Sequence, residues 1–180
     1  MEEFRGLVIS SRRYHENEAA KEMQYILEMI LEYEDVKVEP VRNLTGLSIA
    51  HFQQDPVETL EKIEEKMEED PDLFEYVLKI VPINFKLNTE ISEISELAAK
   101  FESKIGETDK WRILLRRRAT DIAHDDFIDA AAKELDVGIV DLEEPEYFIR
   151  IEVMGDETYM SLSKEKELSV VKRRRELIEV

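Results

Sequence analysis

Hydrophobic and polar positions along this chain follow two periods, a two-residue alternation typical of strands and a three-to-four-residue spacing typical of amphipathic helices. Residues 4–10 are mostly apolar and partly β-branched, which predicts a first strand. Between residues 18 and 33 the apolar positions recur three and four apart, which predicts a helix with Asn17 as its cap. Two short β-prone runs, 36–41 and 47–52, then predict a hairpin.

A second helix and a further strand complete the first half of the pattern. Asp55 at a cap position and Pro56 in the first turn predict a helix start. Residues 76–87 are strand-like, and Pro82 within them predicts an edge, a bulge or a change of direction. The predicted order is therefore β-α-β-β-α-β, the ferredoxin-like arrangement.

The second half of the chain continues the alternation of helices and strands. It predicts a helix at 90–104 capped by Asn88 or Thr89, a strand at 111–118, a helix at 124–135, and a hairpin of 146–153 with 157–162. We therefore predict an α/β (α+β) fold with a ferredoxin-like domain at 1–80, packed as one rigid block on a second α/β domain at 81–163. Residues 164–180 are predicted to be a charged tail, helical or frayed.

The charge of the chain changes what this fold is expected to bind. With 25 Lys+Arg against 43 Asp+Glu, the formal net charge is −18, which repels polyanions at long range. The basic residues are nevertheless clustered in short runs, so a local basic face on an acidic protein is compatible with the sequence.

Cysteine usage and hydropathy exclude several classes. The chain has no cysteine, which removes disulfides, thiol catalysis and zinc-thiolate sites and favours a cytoplasmic location. The first residues are acidic where a secretory signal would be basic, and no apolar run reaches the ~20 residues that span a bilayer. Neither export nor membrane insertion is expected.

One ordered set of motifs carries a family resemblance. A strand ends in Arg116-Arg117-Arg118, and after a helix come Val140-Asp141-Leu142 with Pro145, then Ile151-Glu152-Val153-Met154-Gly155. This order resembles the THUMP domain, an RNA-binding module of tRNA-modifying enzymes and their helper proteins. The resemblance covers roughly residues 80 to 162, and in that family a ferredoxin-like unit of this size precedes the module.

The resemblance implies a function without catalysis. Its family attaches the module to methyltransferase, thiolation and pseudouridine synthase domains, yet this chain has no glycine-rich cofactor loop, cysteine pair or P-loop. A stand-alone form assists a separate acetyltransferase that makes N4-acetylcytidine in tRNA, and residues 168–172 resemble the segment that follows THUMP there. The implied protein is a tRNA-binding adaptor that is not an enzyme, has no cofactor, and has tRNA and an N-acetyltransferase as partners.

The candidate RNA-binding residues are basic side chains in these segments. They are Arg12, Arg13, Lys86, Lys100, Lys104, Arg112, Arg116, Arg117, Arg118, Lys172, Arg173 and Arg174. Arginine suits this task because its planar fork grips phosphate oxygens and its face stacks on bases. On a strand, Arg116 and Arg118 share one face and Arg117 lies on the other. The alternative is that these three arginines neutralise Asp121, Asp125 and Asp126.

The remaining candidates also have alternative interpretations. Arg12 and Arg13, beside Tyr14 and His15, would bind RNA or simply cover a helix end. The Lys172–Arg175 run would dock RNA or a partner, or would complement a helix dipole. Lys86, Lys100 and Lys104 would meet a nucleic-acid backbone or would be solvated helix and strand positions.

Residues that suggest catalysis or metal binding have plainer explanations. His15, His51 and His124 show no metal-ligand spacing, so no metal site is predicted. The His124-Asp125-Asp126 run predicts helix capping. Trp111 is predicted to be a core residue, and Asp141 is predicted to fix a turn.

A function of a different class competes with the adaptor. Paired ferredoxin-like units dimerise through sheet edges and hold metabolites between them, and net acidity favours such a protein-interaction or small-ligand module. Fold similarity alone does not decide between the two.

Overall fold

A computed structural model describes residues 1–164 and 167–179, and in this part the chain forms nine strands and five α-helices. In chain order these elements are β1 Glu2–Ser10, α1 Glu16–Tyr25, β2 Lys37–Pro40, β3 Leu47–His51, α2 Pro56–Glu69, β4 Lys79–Asn88, α3 Ile91–Glu102, β5 Lys110–Arg118, α4 His124–Ala132, β6 Ile139–Val140, β7 Tyr147–Met154, β8 Glu157–Ser163, β9 Leu168–Ser169 and α5 Val170–Ile178. The predicted mixed α/β class is confirmed.

The chain divides into two compact units. The first, called here the ferredoxin-like unit, comprises Arg5–Ile83 and Glu167–Val180. The second, called here the C-terminal unit, comprises Met1–Phe4 and Asn84–Lys166. Strand β4 contributes residues to both units, and the segment from Glu167 onward, predicted as part of a tail, belongs to the ferredoxin-like unit. The domain limits predicted from the sequence, 1–80, 81–163 and 164–180, therefore differ from the units of the structure.

The ferredoxin-like unit has the element order that the sequence predicts. Its strands lie in the order β2-β3-β1-β4, with β3 antiparallel to both β2 and β1. Apolar side chains of β1 and of the two helices, including Leu7, Met23 and Ile63, form its core. The hydrophobic periodicity of the first 80 residues is thus explained by two helices that bury one face each.

The helix starts of this unit test the capping predictions. Asp55 caps α2 as predicted, because its Oδ2 accepts a hydrogen bond from the Glu58 backbone N–H at 3.0 Å. The Asn17 prediction is wrong: α1 begins at Glu16, so Asn17 lies inside the first turn, and the cap position is His15. The same helix continues after Tyr25 into a π-helical turn, Ile26–Ile30.

The segment predicted as a charged tail has buried apolar anchors. Leu168 of β9 and Val170 of α5 are 5% and 0% exposed and belong to the core of the ferredoxin-like unit. Strand β9 pairs with β4, and the Ser169 hydroxyl caps α5 by accepting from Lys172 N. The predicted helical form is present at Val170–Ile178, while Glu165, Lys166 and Val180 lie outside the described residues.

The C-terminal unit places two helices on one side of a mixed sheet. Its strands lie in the order β4-β8-β7-β5-β6, with β5 parallel to β7 and β6 and the other pairs antiparallel. Its core joins α3 and α4 to the sheet through residues such as Phe101, Phe127 and Ile151. The predicted β7–β8 hairpin is confirmed, with Met154 opposite Glu157 and Gly155 at φ +67° in the two-residue turn.

Two further capping predictions are wrong. The cap of α3 is Glu90, which makes no side-chain cap, and instead the Glu93 carboxylate reaches back to the Asn88 backbone and side-chain N–H groups at 2.9 and 3.0 Å. The cap of α4 is Ala123, so the two aspartates that follow His124 lie in the first helical turn. There they favour the helix through its dipole rather than through a hydrogen bond.

Candidate nucleic-acid interface

The three predicted arginines of β5 divide between the two faces of the strand. Trp111, Ile113 and Leu115 pack into the core beneath α3 and α4. Side chains alternate along a strand, so Arg117 lies on the helix side and Arg116 and Arg118 lie on the opposite side. The predicted pairing of Arg116 with Arg118 on one face is confirmed.

Strand register assembles a larger cationic surface around Arg116. Across β5, β7, β8 and β4, Arg116 lies opposite Glu152, Glu152 opposite Tyr159, and Tyr159 opposite Lys86. We call this side of the C-terminal unit the arginine face. It carries Lys86, Arg112, Arg116, Arg118 and Arg150 together with Glu152 and Glu157.

A buried carboxylate organises the centre of the arginine face. Glu152 is 1% exposed and its two oxygens each bind a guanidinium group, Oε1 to Arg150 Nη1 and Oε2 to Arg118 Nη1, both at 2.9 Å. Arg150 is itself 2% exposed. Charge-assisted hydrogen bonds of this kind are short and directional, so Arg118 is held in one orientation beside Arg116.

Arg116 differs from its neighbours because it is accessible. It is exposed, and in the described part of the chain its side chain has no hydrogen bond or ion pair. Arg112, on the same face, is half-buried and donates from Nη1 to the Leu142 carbonyl at 2.8 Å. Of the arginines on this face, Arg116 is thus the one that offers its guanidinium group to a ligand.

Lys86 belongs to a second small network on the arginine face. Its Nζ lies 3.2 Å from Glu157 Oε1, and the Tyr159 hydroxyl donates to Glu157 Oε2 at 3.2 Å. Burial, and then the adjacent Glu157 carboxylate, raise the pKa of Tyr159 above its ordinary value. Tyr159 therefore remains a neutral hydrogen-bond donor, and Lys86 is held beside Glu157.

The described residues give no direct contact for the alternative interpretation of the arginines. Arg117 Nη1 donates to the Ile122 carbonyl at 2.7 Å, and Arg118 pairs with Glu152. Among the described residues no ion pair joins these arginines to the aspartates at 121, 125 and 126.

The other predicted RNA-binding residues lie elsewhere. Lys100 and Lys104 are exposed at the end of α3 and just after it, on the helix side of the C-terminal unit. Arg12 and Arg13 are exposed in the loop between β1 and α1 of the ferredoxin-like unit. The structure therefore places Lys86, Arg112, Arg116 and Arg118 on one face of the C-terminal unit, whereas Lys100 and Lys104 lie on its helix side. Arg12 and Arg13 belong to the other unit.

Two of the four basic residues on α5, Arg173 and Arg174, are used inside the ferredoxin-like unit. Arg173 pairs with Glu64 at 3.2 Å and with Glu68 at 2.6 Å, both on α2. Arg174 donates to the backbone carbonyls of Pro71 and Phe74. These contacts favour a structural role for both arginines, whereas Lys172 is exposed.

Two predictions about the surroundings of the site, for Trp111 and Asp141, are confirmed. Trp111 is a core residue, 3% exposed, and its indole Nε1 donates to the Val137 carbonyl at 2.8 Å. Asp141 fixes a turn, since its Oδ1 accepts from the backbone N–H groups of Glu143 and Glu144, each at 3.0 Å. His124 is exposed and lies 3.2 Å from the Asp125 carboxylate.

Within residues 1–164 and 167–179, no helix combines the length and the apolar character that crossing a membrane requires. In the same residues no group of three or more histidine or acidic side chains is arranged to hold a metal ion.

Arg150 and Glu152 were not predicted as site residues, although the sequence contains a signal for them. In the run Ile149-Arg150-Ile151-Glu152-Val153, two charged residues alternate with β-branched ones. This pattern predicts a strand with one apolar and one charged face. The ion pair with Arg118 additionally requires the parallel register of β5 with β7.

Comparison with known families identifies the domain that carries the arginine face. The family model described as "THUMP domain" matches residues 88–163, so a THUMP domain is present in this chain. The resemblance inferred from the motifs is confirmed to that extent. A search of curated protein sequences found no significant match.

Solved structures share the fold over most of the chain. PH1313 from Pyrococcus horikoshii is 15% identical with a TM-score of 0.62, and the match covers 92% of this chain and 55% of that one. TrmN from Thermus thermophilus is 14% identical with a TM-score of 0.56, covering 92% and 46%. A 4-thiouridine synthetase in a complex with RNA and ATP is 10% identical with a TM-score of 0.57, covering 92% and 42%. The chain spans about half the length of these proteins.

Proposed function

We propose that this chain is a non-catalytic tRNA-binding protein that presents tRNA to a separate modifying enzyme. The observation that carries the proposal is the accessible guanidinium group of Arg116 on the arginine face of the THUMP domain. Arg118 beside it is held in one orientation by the buried Glu152, so this part of the surface is preformed. A preformed fork geometry suits phosphate oxygens, because less side-chain entropy is lost on binding.

The family and the fold support RNA as the ligand. The THUMP domain, residues 88–163, contains Arg112, Arg116, Arg118 and the ion-paired Glu152. One protein of the same fold, the 4-thiouridine synthetase, has been solved as an RNA complex. We extend RNA binding to this chain on these grounds and place it in the cytoplasm, where tRNA is modified.

Electrostatics sets the expected strength of binding. With a formal net charge of −18, the chain repels RNA at long range, and locally clustered cationic side chains attract phosphates. Binding of tRNA by this chain alone is therefore weak and sensitive to salt. A weak adaptor is useful when a second protein supplies the rest of the affinity, since linked sites bind together with a raised effective concentration.

The non-catalytic part of the proposal rests on how the charged groups of the arginine face are used. Glu152 is committed to Arg118 and Arg150, and Glu157 is committed to Lys86 and Tyr159. The sequence offers no cysteine as a nucleophile. The finer proposal, an adaptor for N4-acetylcytidine formation by an N-acetyltransferase, rests on the resemblance of residues 168–172 to the segment that follows THUMP in that group.

The competing dimerisation function gains no support from the outer edge of the ferredoxin-like unit. At this edge the Gln24 side chain accepts from Val38 N and donates to the Val36 carbonyl, both at 2.9 Å. Pro40, the last residue of the edge strand, has no N–H to donate. Edge strands blocked in this way are poor templates for pairing with another chain.

Titration of tRNA at two salt concentrations tests RNA binding at the arginine face. We expect Arg116→Ala to weaken tRNA binding and to lower the slope of log affinity against log salt by about 1, as removal of one phosphate contact does. Arg117→Ala is the matched control, because that exposed arginine lies on the other face of β5. Equal affinities for wild type and Arg116→Ala would contradict the proposal.

Nucleoside analysis tests the adaptor role. In cells that lack this chain, mass spectrometry of total tRNA should show loss of N4-acetylcytidine, and wild type but not Arg116→Ala should restore it. Loss of a different modified nucleoside would keep the adaptor role and change its enzyme. An unchanged nucleoside profile would contradict the adaptor role.

A further inference from the structure

A second cationic surface lies in the ferredoxin-like unit. It consists of the loop between β1 and α1, residues 11–15, and the loop between β2 and β3, residues 42–46, which we call the paired loops. They contain Arg12, Arg13 and Arg42 and no acidic residue, in a chain whose formal charge is −18. All three arginines are exposed, and within the described residues none of their side chains has a hydrogen bond or ion pair.

Backbone contacts hold the paired loops together. Ser11 N donates to the Gly46 carbonyl at 2.9 Å, and Gly46 N donates to Glu16 Oε1 at 2.9 Å. Gly46 has φ +78°, and a Cβ at this position would lie 2.9 Å from the Ser11 carbonyl oxygen. Glycine therefore permits the close approach of the two loop backbones, so the two arginine-bearing loops are neighbours.

An aromatic ring stands at the tip of the first loop. Tyr14 is 81% exposed, and its backbone adopts φ +69°, a left-handed conformation that is rare for a bulky residue. The turn is closed by His15 N donating to the Arg12 carbonyl at 3.1 Å, and the His15 ring stacks on Tyr76 at 5.6 Å. The loop is thus anchored by His15 and directs the Tyr14 ring into solvent.

Exposed arginines and an exposed aromatic ring together define a ligand class. Guanidinium groups bind phosphates, and an aromatic face stacks on a base that is not already stacked in a duplex. A double helix buries its base faces, so it would contact the arginines but would offer the tyrosine ring no base to stack on. A single-stranded segment of RNA uses both.

We propose that the paired loops bind an unpaired nucleotide of single-stranded RNA, with Tyr14 stacked on the base and Arg12, Arg13 and Arg42 on the flanking phosphates. This site deepens the proposed function, because its ligand is RNA, and it is distinct in residues from the arginine face. It requires neither a cofactor nor any chemical step.

The test uses the full chain and two probes, a single-stranded RNA oligonucleotide carrying 2-aminopurine and a blunt RNA duplex of the same length. Tyr14→Ala should weaken binding of the single strand about tenfold or more and abolish the stacking-dependent quenching of 2-aminopurine, with little effect on the duplex. Tyr14→Phe should retain both signals, because the ring is kept. Tyr25→Ala is the matched control, since Tyr25 is 58% exposed but lies on α1 away from these arginines.

The arginines give an independent measurement. The Arg12→Ala, Arg13→Ala, Arg42→Ala triple variant should lower the salt slope for the single strand by about 2 to 3. Unchanged affinity and quenching in Tyr14→Ala overturn the inference. A variant of the paired loops that still binds RNA but no longer binds a modifying enzyme would also overturn the inference. The paired loops would then be a protein-docking surface.

The outcomes separate this inference from the proposed function. If Arg116→Ala loses tRNA binding and Tyr14→Ala keeps it, the paired-loop site is wrong and the arginine face stands. If Tyr14→Ala loses binding and Arg116→Ala keeps it, the paired-loop site stands and the arginine face is wrong. Circular dichroism of each variant checks that an exposed substitution has left the fold intact.

Discussion

Glu152 and Arg118 form an ion pair between two parallel strands, with Oε2 and Nη1 2.9 Å apart and the carboxylate 1% exposed. The other oxygen of Glu152 holds the buried Arg150, so one carboxylate compensates two guanidinium groups. Breaking a buried ion pair by removing one partner costs ~3–5 kcal/mol, because the remaining charge has no compensation. We expect Glu152→Gln to lower the free energy of unfolding by about 3 kcal/mol, measured by urea denaturation.

The matched control for Glu152 is Glu157 on the same face. Its carboxylate pairs with Lys86 at 3.2 Å, but its side chain is 53% exposed. Exposed ion pairs contribute roughly 0–1 kcal/mol, so Glu157→Gln should have a small effect on unfolding. If the two variants lost the same stability, Glu152 would not organise the arginine face.

Two basic residues of α5, Arg173 and Arg174, should affect stability rather than RNA affinity. Arg174 donates to two backbone carbonyls between α2 and β4, and Arg173 pairs with two glutamates of α2. The Arg173→Ala, Arg174→Ala double variant is expected to lower the free energy of unfolding by about 1–3 kcal/mol, since hydrogen bonds to charged groups are each worth roughly 1.5–3 kcal/mol. Lys172→Ala, on the same helix and exposed, should change it by less than about 0.5 kcal/mol. A folded double variant that had lost tRNA affinity would contradict this role.

Local periodicity explains why most of the fold was predictable. The helices and long strands each present a repeated apolar pattern over eight or more residues. This pattern can be recognised in the sequence without knowing which other segments the element packs against. Strands β6 and β9 contain two residues each, which is too short for any period. The anchoring of α5 was missed because its partners lie about a hundred residues away, as the pairing of Arg173 with Glu68 illustrates.

The arginine face was predictable only in part. Alternation along β5 alone places Arg116 and Arg118 on one side, and the structure agrees. Arg116 is accessible whereas Arg118 is fixed, and this difference depends on Glu152. Glu152 contacts Arg118 only because of the β5–β7 register. Register between strands that are not joined by a tight turn is a tertiary property, so no local signal in the sequence contains it.

The turn at Asp141 provides a prediction about pH. Hydrogen bonds from the backbone N–H groups of Glu144 and Glu143, and then the ammonium group of Lys110, lower the pKa of Asp141 below its ordinary value of 3.8. A carboxyl group with a lowered pKa in the folded state stabilises the protein above the unfolded pKa, and this contribution is lost as the pH falls through the folded pKa. NMR titration of the Asp141 carboxyl carbon should therefore show a midpoint below pH 3.8.

The order of these causes can be checked with Lys110→Ala. The Lys110 ammonium lies 3.3 Å from Asp141 Oδ2, so its removal should raise the Asp141 midpoint. The midpoint should nevertheless stay below the ordinary value, because the two backbone hydrogen bonds remain and are the larger causes. Lys133→Ala removes an equal charge elsewhere in the C-terminal unit and should leave the midpoint unchanged. A full return to the ordinary value in Lys110→Ala would mean that the turn does not hold Asp141.

The last prediction concerns the edge strand β2 of the ferredoxin-like unit, where a side chain of α1 bonds an outward backbone N–H. Gln24 Oε1 accepts the outward Val38 N–H of strand β2 at 2.9 Å, and a side chain of α1 thus replaces a neighbouring strand. Gln24→Ala should expose that N–H to solvent, and amide hydrogen exchange of Val38, followed by NMR, should become faster. The free energy of unfolding should fall by about 1 kcal/mol, the net value of an ordinary hydrogen bond. Lys21→Ala, one turn earlier on α1, keeps the hydrogen bond between Gln24 and Val38 and should not alter Val38 exchange. Unchanged exchange in Gln24→Ala would show that the edge is protected in another way, which would make strand pairing with a second copy the first alternative to examine.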